Sequence, residues 1–99
     1  VFTGRQVGAE EALDIGYADK VASVDEILDM ALADAADWAT KPTVALGAAK
    51  RALNQGWGRP IEEGMRIEQE AFQESFATDD AVEGVNAFVE KKEAIFKGS

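Results

Sequence analysis

The 99-residue chain is predicted to be mostly α, with about five helices and at most one short strand. Three observations predict this. Apolar residues recur at three- and four-residue spacing through the longer segments. Gly8, Gly16, Pro42, Gly56, Gly58 and Pro60 punctuate the chain where helix starts and stops are expected. No pair of alternating segments joined by a hairpin turn is visible. No repeat, low-complexity stretch or long linker interrupts, so residues 1–99 are expected to form a single domain.

The first helix is expected over residues 9–15, opened by Gly8 and closed by Gly16, because glycine is favoured just past a helix end. Residues 18–22 then form a connector or one short strand. Ser23 with Glu26 has the spacing of a capping box. Val24, Ile27, Leu28, Ala31, Leu32, Ala35 and Trp38 follow at helical spacing, which places Trp38 in the core. Pro42 suits the first turn of the next helix, which is expected to run through Leu53 and is rich in alanine. Residues 54–59 are a loop, and a fourth helix runs from Ile61 to Phe76. Thr78 or Asp79 caps a fifth helix, Ala81 to about Lys92, with Asp79 and Asp80 suiting the positive end of the helix dipole. Residues 93–96 form another turn and residues 97–99 a frayed tail. These helices do not close a core of their own, and burial is expected to be completed against another domain or subunit.

Composition excludes several kinds of chemistry. Hydrophobic residues make up 46% of the chain and charged residues 29%, and the mean hydropathy is -0.19. That is the profile of a soluble globular chain. Ten basic against 19 acidic residues give a net charge of -9. Nucleic acid and an anionic membrane face are therefore not expected partners, although a local basic spot could hold a small anion. There is no cysteine, hence no disulfide, thiol nucleophile or thiolate zinc site. There is no histidine, which removes the commonest general base and zinc ligand. No apolar run is long enough to span a bilayer, and the start does not resemble a signal peptide. The expected compartment is the cytoplasm. The chain does not start with methionine and is read as a piece of a longer protein.

No metal site and no catalytic residue is expected. Glu10-Glu11, Glu62-Glu63, Asp79-Asp80 and the group Glu68, Glu70, Glu74 read as solvated helix faces, because adjacent helical residues point about 100° apart. Gly56-Trp57-Gly58-Arg59 lacks the lysine and hydroxyl of a phosphate loop and reads as a helix connector. Phe88 and Lys91 are the most informative pair. On a helix from Ala81 the apolar arc centres on Val82, Val85 and Val89. Phe88 sits at its edge, with Lys91 beside it at i+3. A rim aromatic next to an ammonium can stack a nucleobase and hold a phosphate. A core-edge phenylalanine with a solvated lysine is the other reading, and the residues alone favour it.

The ordered motifs resemble the enoyl-CoA hydratase/isomerase, or crotonase, family. Phe2-Thr3-Gly4-Arg5, Ala9-Glu10-Glu11-Ala12 and Ile15-Gly16-Tyr17-Ala18-Asp19-Lys20-Val21 are similar to the segment after the family's catalytic core. Lys50 and Ala52-Leu53 fit a later helix. Phe76-Ala77-Thr78-Asp79-Asp80, Glu83-Gly84-Val85, Ala87-Phe88-Val89-Glu90-Lys91-Lys92 and Phe96 are similar to its closing segment. The departures are small: Phe2 and Tyr17 stand where leucine is usual, Gly8 where serine is, and Lys92 where arginine is common.

The resemblance implies the C-terminal helical, trimer-forming region of a crotonase-like fold, without the N-terminal spiral core. The family's two catalytic glutamates and its two oxyanion-hole N–H groups would then lie upstream. The parent enzyme would hydrate trans-2-enoyl-CoA thioesters in fatty-acid oxidation. The CoA thioester would be its substrate, with no separate cofactor. The parent is expected to be a homo-oligomer, a trimer or dimer of trimers. The resemblance also places Phe88 and Lys91 at the adenine end of CoA, which reverses the preference above for an assembled oligomer. The isolated chain is expected to be inactive and to self-associate. Two alternatives remain: a free-standing helical interaction module, or a family isomerase or other acyl-CoA enzyme.

Overall fold

The computed structural model describes residues 2–99. Five helices run in order, with no strand among the described residues: α1 Ala9–Asp14, α2 Ile27–Ala39, α3 Thr43–Gly56, α4 Ile61–Phe76 and α5 Asp79–Glu90. Residues up to Ala35 make one compact unit and Ala36–Ser99 a second. The mostly α, five-helix expectation is met. The connector at residues 18–22 is irregular backbone with one bend, not a strand.

In the first unit, α1 ends as its glycine demands. Gly16 takes φ 72. Its N–H donates to the Leu13 carbonyl at 3.1 Å, and the Tyr17 N–H reaches back to Ala12 at 2.8 Å. That pair of bonds is a Schellman turn, in which a left-handed residue lets the chain satisfy two terminal carbonyls. The capping box at Ser23 does not form. The Ser23 hydroxyl donates to Glu26 Oε2 at 2.6 Å, so that carboxylate is engaged by the hydroxyl and not by the Ser23 N–H. Residues 24–26 make a turn first, and α2 starts only at Ile27. Lys20 Nζ joins both oxygens of Asp34 at 2.6 Å.

The predicted α2 stripe is not a core. No α2 residue is buried, and Trp38 is 61% exposed. The half-buried residues of α2 are Met30 and Asp34, off the stripe, because burial depends on a neighbour that periodicity does not name.

In the second unit, α3 and α4 form an antiparallel hairpin. α3 runs past Leu53 to Gly56, so the expected loop shrinks to residues 57–60. Small residues let the backbones approach: a Cβ on Gly56 would stand 3.8 Å from the Gly64 Cα. Ala48 and Ile67 are the buried residues of the pair. Arg51 and Glu74 form an ion pair across the hairpin. Phe72 and Phe76, one turn apart on α4, stack with centroids 4.5 Å apart and remain exposed.

α5 buries an unexpected face. Its large apolar residues Val82, Val85 and Val89 are exposed, Val89 by 73%. The buried positions are Asp80 and Ala87, with Glu83 and Gly84 half-buried between them. The chain's own tail lies against this face. A Cβ on Gly84 would stand 3.4 Å from the Phe96 ring, so a glycine lets the ring lie close to the helix. Residues 93–96 are not a helical turn, and residues 97–99 are not frayed. Residues 94, 96 and 98 are half-buried while their neighbours are exposed, the alternation of an extended segment.

The end of the tail passes close to α3. Gly98 has φ 76, and a Cβ there would come within 2.6 Å of Thr43 Oγ1. Gly98→Ala is expected to destabilise the docked tail by about 1–2 kcal/mol, mainly from the left-handed backbone. Amide exchange at Lys97 checks this. Unchanged protection of that amide would show that the turn tolerates a side chain.

Candidate functional site

The site candidates cluster at the two ends of α5. Thr78 starts the helix. Its hydroxyl oxygen accepts the Ala81 N–H at 3.1 Å and its O–H donates to the Ser75 carbonyl at 2.7 Å. The side chain therefore closes α4 and opens α5 together.

Asp80, in the first turn, is only 2% exposed. Its Oδ1 accepts the Lys97 N–H at 2.7 Å and its Oδ2 the Gly98 N–H at 2.8 Å. Its own N–H donates to the Ser99 carbonyl at 3.0 Å. Glu83, one turn on, accepts the Ile95 N–H at 3.2 Å. Reading Asp79-Asp80 only as a helix N-terminus is therefore incomplete. Asp79 is exposed, whereas Asp80 is a buried carboxylate whose partners are the amides of the returning tail.

At the other end lie Phe88 and Lys91. Phe88 lies on α5 and is 84% exposed, and the valines of the arc whose rim it is expected to form are exposed too, Val89 by 73%. Lys91 is not helical. α5 stops at Glu90, and Lys91 takes φ 55, ψ 40. The Lys92 N–H reaches the Ala87 carbonyl at 3.0 Å and the Lys91 N–H reaches Phe88 at 3.3 Å. This repeats the Schellman turn that ends α1, with lysine in the place Gly16 holds there. The i+3 relation of Phe88 to Lys91 survives as that backbone bond, not as a shared helical face. Lys91 is exposed and has no ion-pair partner among the described residues.

The other charged groups read as the sequence suggested. Glu63, Glu70 and Glu74 each pair with an arginine, respectively Arg59, Arg66 and Arg51. The Arg5 guanidinium grips Glu11 with two bonds of 2.6 and 2.8 Å. That contact holds the Glu11 carboxyl below its usual range and raises Arg5 above its own. No acidic cluster able to hold a metal ion occurs among the described residues.

A groove of about 630 Å³ runs along the α3–α4 hairpin, lined by Ala45, Ala49, Leu53, Trp57 and Phe72 among others. Phe88 and Lys91 do not line it. No helix among the described residues is long and apolar enough to cross a membrane.

Comparison with known proteins supplies what geometry alone does not. The family model described as enoyl-CoA hydratase/isomerase matches residues 1–99. A crotonyl-CoA hydratase from Syntrophomonas wolfei is 36% identical over 96 residues, covering 97% of this chain and 37% of that protein. A mitochondrial enoyl-CoA hydratase from Pongo abelii is 33% identical over 97 residues, covering 98% of this chain and 33% of its own length. A crystal structure of an enoyl-CoA hydratase from Geobacillus kaustophilus superimposes with a TM-score of 0.92 at 32% identity. It matches 98% of this chain and 37% of that one. The chain thus spans about a third of the length of the proteins it matches. With a family match along its whole length and the same fold in a solved relative, the chain belongs to the enoyl-CoA hydratase/isomerase family.

Proposed function

We propose that the chain is the C-terminal helical region of an enzyme that hydrates trans-2-enoyl-CoA thioesters. The supporting observation is the family match over residues 1–99 together with matches of 96 and 97 residues to about a third of proteins named enoyl-CoA or crotonyl-CoA hydratase. In that reaction water adds across the 2,3 double bond, its oxygen to C3 and a proton to C2. One glutamate removes a proton from the water and a second protonates C2, while two backbone N–H groups stabilise the oxyanion of the thioester. Those groups belong to the part of the enzyme outside these 99 residues.

This region's own part is twofold. The exposed apolar faces of α2 and α5, with Leu28, Leu32, Val82, Val85 and Val89, suit burial against the catalytic core or neighbouring subunits. Phe88 and Lys91 hold the adenine end of CoA. An exposed ring offers a face to a base, and an unpaired ammonium offers charge to a phosphate.

Phe88→Ala in the whole gene product is expected to weaken CoA binding about tenfold, since stacking of a base on an aromatic side chain is worth roughly 1–3 kcal/mol. Isothermal titration checks it. Stability should hardly change, because the ring is largely exposed. Unaltered affinity would remove the ligand contact. The same exposed faces would equally serve a helical interaction module, and that reading predicts no CoA affinity at all.

A further inference from the structure

Lys91 is the one described non-glycine residue in the left-handed region. Lysine has no intrinsic reason to be there. Its helix propensity is good, and the local sequence favours continuing α5 to Lys92. A side chain is held in such a conformation only when its surroundings over-determine it. The surroundings here are the tail. After the turn at Lys91 the chain runs back along α5, and three successive contacts fasten it. Glu83 takes the Ile95 N–H, Gly84 receives the Phe96 ring, and Asp80 takes the N–H groups of Lys97 and Gly98. Continuing α5 to Lys92 would require the tail to leave this path. The Asp80 clamp and the left-handed turn at Lys91 are therefore two ends of one loop.

We propose that Asp80 is a positioning residue for ligand binding: by clamping the tail it keeps Lys91 in the left-handed turn from which its ammonium meets the phosphates of a CoA thioester. This rests on the reading of Lys91 as a CoA contact. Asp80 touches neither ligand nor reacting atoms. It acts through the backbone between Lys91 and Gly98. The carboxylate suits this work because its two oxygens can accept two consecutive amides at once, which no neutral side chain of similar size matches.

The test compares a crotonyl-CoA substrate with the crotonyl thioester of pantetheine, which lacks the nucleotide, in the protein as its gene encodes it. Lys91→Ala is expected to raise KM about tenfold for the CoA substrate and to leave the pantetheine substrate unaffected, because only the former carries the phosphates. Asp80→Ala should reproduce that pattern, with kcat for the pantetheine substrate preserved. The double variant should be no worse than Lys91→Ala alone, since both changes remove one interaction. Phe96→Ala, which removes the ring packed on Gly84 and so weakens the docking of the same tail, should give a smaller loss of the same selectivity and serves if Asp80→Ala does not fold. Equal losses on both substrates would make Asp80 merely structural and overturn the proposal. So would additive effects of Asp80→Ala and Lys91→Ala. A Lys91→Ala enzyme unaltered on both substrates would overturn the CoA contact itself and the positioning role with it.

Discussion

Asp80→Ala is expected to destabilise the folded chain by about 2–4 kcal/mol. Hydrogen bonds to a charged acceptor contribute roughly 1.5–3 kcal/mol each, and two of them are lost together. They share one carboxylate, so the losses do not simply add. The loss also has a ceiling. Once the tail lets go, the freed N–H groups of Lys97 and Gly98 meet water and cost nothing further. The effect therefore reads the docking free energy of the tail. Amide exchange at residues 97 and 98 should become fast, while the α3–α4 hairpin keeps its protection. The neighbouring aspartate is the control. Asp79 is exposed and supports the helix only through the dipole, so Asp79→Ala should cost about 0.3–1 kcal/mol. Equal losses from the two substitutions in urea denaturation would show that the clamp contributes nothing of its own.

The isolated 99 residues are expected to show no hydration of crotonyl-CoA. Hydration needs a base for the water, an acid for C2 and donors for the thioester oxyanion, held around one substrate. Histidine and cysteine are absent from the sequence, so carboxylates would have to do the proton chemistry. A carboxylate becomes a useful acid near neutral pH when burial or a like charge raises its pKa. Glu63, Glu70 and Glu74 are each engaged by an arginine and do not converge on one site. Asp80 is buried, but both its oxygens already accept amides. The loss of the enoyl thioester's ultraviolet absorbance follows the reaction directly. A rate above buffer that scales with the concentration of the pure chain would show that the chemistry resides here after all.

Local signals were legible in the sequence and long-range ones were not. Pro60, Phe76 and Thr78 mark the α4 and α5 boundaries, because a proline at the start and a hydroxyl cap act within one turn. Gly16 announces the end of α1 for the same reason. The end of α5 carries no such announcement. Nothing near Lys91 favours a left-handed residue, and the cause lies in bonds from Asp80 to amides 17 and 18 residues away. The same holds for Trp38 and the α5 valines. Their spacing names an apolar face, but none of the described residues covers it. The place of Phe88 beside the valine arc could be read because angular position on a helix follows from geometry alone. The buried role of Asp80 could not, because an acid in the first turn of a helix already has a sufficient local explanation.

The path of the tail also decides where a reporter can be attached. Since the Ser99 carbonyl bonds to the Asp80 N–H, the last residue lies at the opening of α5. Lys91 lies past its far end. The intervening 12 residues rise about 18 Å. A fluorophore coupled at residue 99 would thus stand one helix length from the phenylalanine and lysine assigned to CoA. Paired with a second dye near Lys91, it would turn the release of the tail into a change in energy transfer.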